Sequence, residues 1–348
     1  MINFAIFKIG LLSTLSFLFA WAVTPLMSHF LYKYKLGKQI RDETSAPIFA
    51  QLHKHKAGTP TMGGLVIWVT TLIFAVFFYY LSVVFPLGYI KSLNFLTRTE
   101  VWLPLAALVL SALVGAVDDV FNVKKIGPFG GGLKMRHRLF LYTAIAVIGA
   151  WWFYYKLQWD TLHVPFFGDV TMGLWYIPFF IFIIVATAFS VNEIDGLDGL
   201  AGGTLLAAFA SFGVIAFIQG RYDLATFCGV VIGALLAFLW FNIYPAKFIM
   251  GDTGSMSLGV TLGIVAMLTN TALVLPVIGF LFVLESLSVI IQMTSKKIRK
   301  KKVFLSAPIH HHFEAKGWAE ATIVMRFWVI SWVLAVVGVI IVLVDRGL

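Results

Sequence analysis

The chain has 348 residues, 60% of them hydrophobic and 12% charged, with a formal net charge of +10 and a mean hydropathy of +0.92. A water-soluble domain carries roughly twice that charged fraction, so the composition excludes an ordinary soluble enzyme and makes the bilayer the solvent. The basic excess then reads as lysine and arginine holding loops in the cytoplasm, not as a nucleic-acid surface, and the single cysteine, Cys228 in an apolar run, excludes an intrachain disulfide and reads as a small buried hydrophobe.

A membrane-crossing helix needs about 20 mostly apolar residues. By that criterion ten spans are expected, at 4–32, 62–85, 101–117, 138–156, 173–191, 203–219, 224–241, 254–270, 272–293 and 322–344. The first is too long for the core of a cleaved signal, which runs roughly 7–15 residues, and is expected to be retained. Only the neighbourhood of Asn270 and Thr271 divides the eighth from the ninth. With no linker, low-complexity stretch or repeat, one all-α polytopic domain covers 1–348. Trp102, Trp151, Trp152, Trp175, Tyr176, Trp240 and Tyr244 fall near span ends, as interfacial belts do.

Basic residues set the orientation. Nineteen of the 26 Lys and Arg lie in the loops after spans 1, 3, 7 and 9: six in 33–61, five in 118–138, Lys247, and seven in 296–316. Those loops are expected in the cytoplasm and both termini outside. Parity puts the loop 192–202 on the same side, although it holds three acids and no Lys or Arg.

Motifs gather on that side. Asp118 and Asp119 end the third span, where the helix dipole disfavours negative charge by up to about 1 kcal/mol per group; a bound cation explains them, and a solvated end balanced by Lys124 and Lys125 is the plainer alternative. Asn192, Glu193, Asp195 and Asp198 fill the basic-poor loop. Asp195 and Asp198, three apart, share a face of any helical turn, with Gly196 and Gly199 admitting a ligand close to the backbone. Helix capping would need only one of these acids. Asn242, Lys247 and Asp252 occupy the next loop, where Asp252 either caps the eighth span or joins the other acids. An oxygen-rich cluster without cysteine suits Mg²⁺, which takes one or two carboxylates plus phosphate oxygens.

The last loop carries His310, His311, His312 and Glu314. Adjacent side chains diverge, so one zinc ion cannot collect all three imidazoles; donation to phosphate or proton shuttling fits better. Lys56 precedes Gly58-Thr59-Pro60-Thr61-Met62-Gly63-Gly64 at the start of the second span, readable as an anion site at a helix N-terminus or as small-residue packing. His53 and His55 read as loop residues. Glu285, inside the ninth span, is expected to have a structural partner such as Arg326, or to sit at a polar kink.

Lys56 with GTPTMGG, the VDD pair, NEIDGLDGLAGG, WFNIYPAKFIMGDTGS, and APIHHHFEAKGW followed by RFW resemble, in order and placement, the phospho-N-acetylmuramoyl-pentapeptide transferase family. That family is a branch of the polyprenyl-phosphate N-acetylhexosamine-1-phosphate transferase superfamily, and the resemblance runs from about residue 33 to 332. It implies an enzyme of the bacterial cytoplasmic membrane that moves phospho-MurNAc-pentapeptide from UDP-MurNAc-pentapeptide to undecaprenyl phosphate, with Mg²⁺ as cofactor, and it admits a homodimer. It further implies Asp118, Asp119 and Asp252 as the central catalytic and metal-binding acids, with His310 also catalytic. Asn192, Asp195, Gly196, Leu197, Asp198 and Asn242 line the nucleoside side, and Lys56, His311 and His312 touch phosphate and sugar.

Two positions depart from the family pattern. Asn122 stands where the family has lysine, so either charge stabilisation shifts to Lys124 or Lys125 or the site is weaker; Arg136 and Arg138 align with the family's basic pair. Ile249, beside Phe248, stands where a phenylalanine stacks on uracil. A sister transferase using UDP-N-acetylglucosamine is the alternative enzyme. A transporter is the alternative of another kind, disfavoured because the acids sit at span ends and not near the midplane.

Overall fold

The computed structural model describes residues 2–37, 56, 58–85, 87–127 and 131–347. His53 and His55 lie outside them. The chain is a helical bundle. Its helices are α1 (Ile2–Lys33), α2 (Leu65–Val84), the short α3 (Gly88–Leu93), α4 (Thr99–Val123), α5 (Met135–Trp151), α6 (Tyr176–Ile194), α7 (Leu200–Ile218), α8 (Tyr222–Asn242), α9 (Asp252–Leu268), the one-turn α10 (Leu275–Ile278), α11 (Phe280–Arg299), α12 (Ile309–Ala315) and α13 (Glu320–Asp345). Each of the ten expected spans falls on a helix. Seven (α1, α2, α4, α6, α7, α8 and α13) are long and apolar enough to cross a membrane.

Burial separates centre from rim. Every residue of α9 from Thr253 to Leu268 is buried, between α4 and α6, and α8 is buried on nearly all sides between α1 and α7. A helix apolar all round belongs inside a bundle. In lipid the hydrophobic effect does not drive helices together, so close backbone approach must hold them. Gly259 and Gly263 supply it on α9: a β-carbon at Gly259 would stand 2.8 Å from the Ala188 Cα, and one at Gly263 would stand 2.5 Å from the Thr187 hydroxyl. By contrast, α1 and α13 turn Phe7, Trp21, Phe30, Val329, Val333 and Val344 outward, as lipid-facing helices do.

Three features differ from expectation. The connection 157–172, which carries no strong pattern, holds a small antiparallel hairpin, β1 (Thr161–Val164) on β2 (Gly168–Thr171), with Thr161 opposite Thr171. The ninth span is broken at Gly279 between α10 and α11, and α9 stops at Leu268, two residues early. Helix α4 runs on to Val123, so Asp118 and Asp119 lie inside the helix instead of at its end, which softens the dipole penalty.

The polar residues of the bundle separate by end. One end carries the hairpin, Lys8 bonded to Asp223 at 2.9 Å, and Arg221 bonded to Glu100 at 3.1 Å. The other carries every motif singled out above.

Candidate active site

Arg138, in the first turn of α5, is the hub. Its Nε lies 2.7 Å from Asp118 Oδ2, its Nη2 lies 2.9 Å from Asp252 Oδ2, and its Nη1 donates to Asn192 Oδ1 at 3.1 Å. Asn192 donates in turn to Asp252 Oδ1 at 2.6 Å and to the Ser255 hydroxyl at 3.0 Å. Asp118, fully buried, also accepts the Leu133 N–H at 2.6 Å. One guanidinium thus joins the C-terminal part of α4, the end of α6 and the start of α9. A cation in a first helical turn opposes the dipole, and two carboxylates offset that cost. Lys124 and Lys125 are exposed, and the cation found in the cluster is Arg138. A planar fork reaches three partners at once, which an ammonium cannot do in this geometry.

Asp119 faces the other way. Its Oδ1 accepts from the Thr61 hydroxyl at 3.0 Å, and its Oδ2 accepts the Thr253 N–H at 2.9 Å. The first turn of α9 is therefore capped from another helix, and Asp252 is free of the capping role. Gly251, at φ +74, makes the turn possible, because a β-carbon there would stand 2.5 Å from the Thr61 hydroxyl and 2.7 Å from Asp119.

The loop after α6 divides its two acids. Asp195 Oδ2 accepts the Gly251 N–H at 3.1 Å, whereas Asp198 pairs with Lys56 at 2.7 Å and accepts the Ala246 N–H at 3.0 Å. They do not share a helical face, because 195–199 is a turn and not a helix. Lys56 also pairs with Glu320 at 2.5 Å. Burial opposes the charge on Lys56, and Glu320 and Asp198 outweigh it, so its pKa is raised. Asn242 ties two loops together: its Oδ1 accepts the Gly199 N–H at 3.0 Å and its Nδ2 donates to the Phe248 carbonyl at 2.9 Å. Leu197 is buried beside them.

The three imidazoles have three separate surroundings. His310 is fully buried with Nδ1 3.0 Å from Glu285, and its ring lies against Gly196, where a β-carbon would meet Nε2 at 2.2 Å. His311 Nδ1 meets Glu314 at 2.6 Å, and His312 Nδ1 accepts the Leu305 N–H at 3.1 Å. Burial works against charge on His310, and Glu285 more than offsets it, holding its pKa above the ordinary value. Slight burial and Lys316 push His312 down. Arg326, the expected partner of Glu285, instead stacks on Trp318 at 4.4 Å.

The start of α2 and Phe248 are both engaged in contacts within the protein. The Gly63 and Gly64 N–H groups bond to the Ile249 and Met250 carbonyls at 2.9 and 2.8 Å, and the Thr61 N–H bonds to Leu36, so the start of α2 offers no open anion site. Packing explains those glycines: a β-carbon on Gly64 would stand 2.2 Å from the Gly254 Cα. Phe248 is buried against Phe238 at 5.8 Å and is not available to stack on a base.

Among the described residues no group of three or more His, Cys, Asp or Glu converges as a metal cage. Mg²⁺ held by one or two carboxylates and completed by phosphate oxygens requires none. Sequence reasoning had Arg138 only as an alignment position. The signal that points to this segment is a pair of arginines, Arg136 and Arg138, in a first helical turn, against the dipole and opposite three acidic loops.

Known proteins resemble the chain over most of its length. A family model described as glycosyl transferase family 4 matches residues 101–270, and a model described as phospho-N-acetylmuramoyl-pentapeptide-transferase signature 1 matches residues 56–67. Three similar relatives are each named phospho-N-acetylmuramoyl-pentapeptide-transferase. The protein of Chloroflexus aggregans is 39% identical, covering 94% of this chain and 88% of its own. That of Ruegeria pomeroyi is 42% identical, covering 90% and 87%, and that of Bacillus cytotoxicus is 40% identical, covering 95% and 97%.

Proposed function

Because the chain belongs to the phospho-N-acetylmuramoyl-pentapeptide-transferase family, we propose that its acidic cluster moves phospho-MurNAc-pentapeptide from UDP-MurNAc-pentapeptide to undecaprenyl phosphate. The products are lipid I, used in peptidoglycan synthesis, and UMP. The protein is a transferase embedded in a membrane; we place it in the cytoplasmic membrane with the motif-bearing end toward the cytoplasm, as the basic loops require. The observation that carries this reading is the joining of Asp118, Asp252 and Asn192 by one guanidinium, at the end of the bundle that also holds the signature residues 56–67.

An oxygen of undecaprenyl phosphate attacks the phosphorus that bears the sugar. The new diphosphate linkage forms as the bond to UMP breaks, and UMP leaves with the electron pair. Such transfers need positioning and charge neutralisation more than covalent help from protein. Asp118, which faces Arg138 and accepts the Leu133 N–H, is assigned the proton of the lipid phosphate. Asp195 to Asp198 with Asn192 and Asn242 form the proposed nucleoside side, and Lys56 with His310 to His312 the phosphate and sugar side.

Mg²⁺ suits the donor set, which is all oxygen around a seat where a cation already stands. Asp252 and Asp118 would hold it, with Asp119 fixing the α9 turn behind them, and it would neutralise charge on the diphosphate. Purified protein offered both sugar nucleotides is expected to turn over UDP-MurNAc-pentapeptide; turnover of UDP-N-acetylglucosamine alone would overturn the assignment, as would capture of a phospho-MurNAc–enzyme adduct for direct transfer.

A further inference from the structure

Three of the four carboxylate oxygens of the Asp118–Asp252 pair accept hydrogen bonds within the protein, and the fourth, Asp118 Oδ2, stands against Arg138 Nε without one. Asp118 Oδ1 takes the Leu133 N–H and its Oδ2 faces Arg138 Nε. Asp252 Oδ1 takes Asn192 and its Oδ2 takes Arg138 Nη2. Mg²⁺ binds at about 2.0–2.1 Å with near-octahedral demands, so on Asp252 Oδ2 it competes with the guanidinium for one oxygen. A dication and a guanidinium on the same oxygen also repel one another strongly at such range.

We propose that Arg138 is a built-in counter-cation: it bridges Asp118 and Asp252 and surrenders Asp252 when Mg²⁺ binds. The inference rests on the reading of Mg²⁺ as cofactor. The two arms of the fork differ in access. The side chains of Arg138 and Asp252 are 18% and 17% exposed, whereas that of Asp118 is 0% exposed, so exchange takes place at the Asp252 arm. Asp118 and Asn192 keep Arg138 close by. The freed Nη2 then points into the seat from which it was displaced, where an incoming diphosphate supplies oxygens that a guanidinium fork matches. The same group thus serves first as a substitute for the metal and then as a contact for the substrate's charge.

The test is direct binding of Mn²⁺ to the purified full-length chain without substrate, followed by electron paramagnetic resonance, with folding checked by thermal melting. Arg138→Gln is expected to bind Mn²⁺ about tenfold or more tighter than wild type, the response to removing a competing charge, while losing transferase activity. Arg138→Lys, which keeps the charge and loses the fork, is expected to lie between, and it stands in if Arg138→Gln does not fold. Asp252→Asn is expected to lose binding. Unchanged or weaker Mn²⁺ binding by folded Arg138→Gln and Arg138→Lys would overturn the proposal while leaving the metal reading intact. If no form binds Mn²⁺ and wild-type activity survives chelator, the metal reading itself fails and takes the proposal with it.

Discussion

Glu285 of α11 and His310 of α12 face each other at 3.0 Å with both side chains wholly shielded from solvent. A carboxylate placed there explains why His310, although fully buried, has its pKa raised and not lowered. Glu285→Gln removes the charge while keeping the shape. The acid form of His310 then persists only to lower pH, so the limb of the pH–activity profile that belongs to His310 is expected to move to lower pH by about one unit or more. The Glu285→Gln profile, with His310→Gln identifying the limb, checks this. An unshifted limb would mean that Glu285 only fills space.

Lys56 stands between Asp198 at 2.7 Å and Glu320 at 2.5 Å, and their side chains are about one-tenth exposed. Removing the lysine leaves two buried carboxylates without their cation, a change that costs about 3–5 kcal/mol in buried pairs. Lys56→Met is therefore expected to lower stability strongly, and Lys56→Met combined with Glu320→Gln is expected to recover part of the loss. A double-mutant cycle by denaturant unfolding in detergent reads the coupling, expected at about 1–3 kcal/mol. Additive effects would contradict the pairing.

Gly251 holds φ +74 with Asp119 and Thr61 where a β-carbon would go. Gly251→Ala pushes the α9 turn and Asp252 away from Arg138. A displacement of about 1 Å at a reacting centre costs on the order of a hundredfold in rate. Lipid I synthesis is expected to fall by that order while the protein stays folded; wild-type activity would show that the turn does not set the site.

At the opposite end, His163 of β1 lies 2.6 Å from Asp345 and 2.6 Å from Asp169, clamping the hairpin to the end of α13. Burial disfavours its charge, but the two aspartates prevail and raise its pKa above 6.5. Since the folded value exceeds the unfolded one, the clamp's stabilisation is complete below about pH 6.5 and fades as pH climbs through the raised value. Its size, for a partly exposed pair, is of order 1 kcal/mol or less. The melting temperature of wild type minus that of His163→Gln is expected to be largest at low pH and to vanish at high pH; a constant difference would contradict the clamp.

The bundle was legible because lipid imposes a long apolar run on each span, and each of the ten runs falls on helix, the ninth on two pieces broken at Gly279. The acids Asp118, Asp195, Asp198 and Asp252 were legible because charge at the edge of apolar runs needs a reason. Their partners were not. Nothing local distinguishes Arg138 from Arg136, and only the fold brings it to Asp118 and Asp252. Glu285 and His310 are likewise 25 positions apart in the chain and meet only because α12 folds back over α11. The glycines at 63 and 64 read equally as an anion site or as packing, and only the fold shows their N–H groups spent on the carbonyls of residues 249 and 250.

The most direct test follows lipid I and UMP from labelled UDP-MurNAc-pentapeptide and undecaprenyl phosphate, using purified wild type, Asp118→Asn and Asp252→Asn, with each variant's melting curve recorded. Wild type is expected to release one UMP per lipid I, and both folded variants are expected to lose activity by about a thousandfold or more, as when charge stabilisation is removed from a transition state. Near-normal lipid I synthesis by either folded variant would contradict the placing of the reaction at the carboxylate pair joined by Arg138.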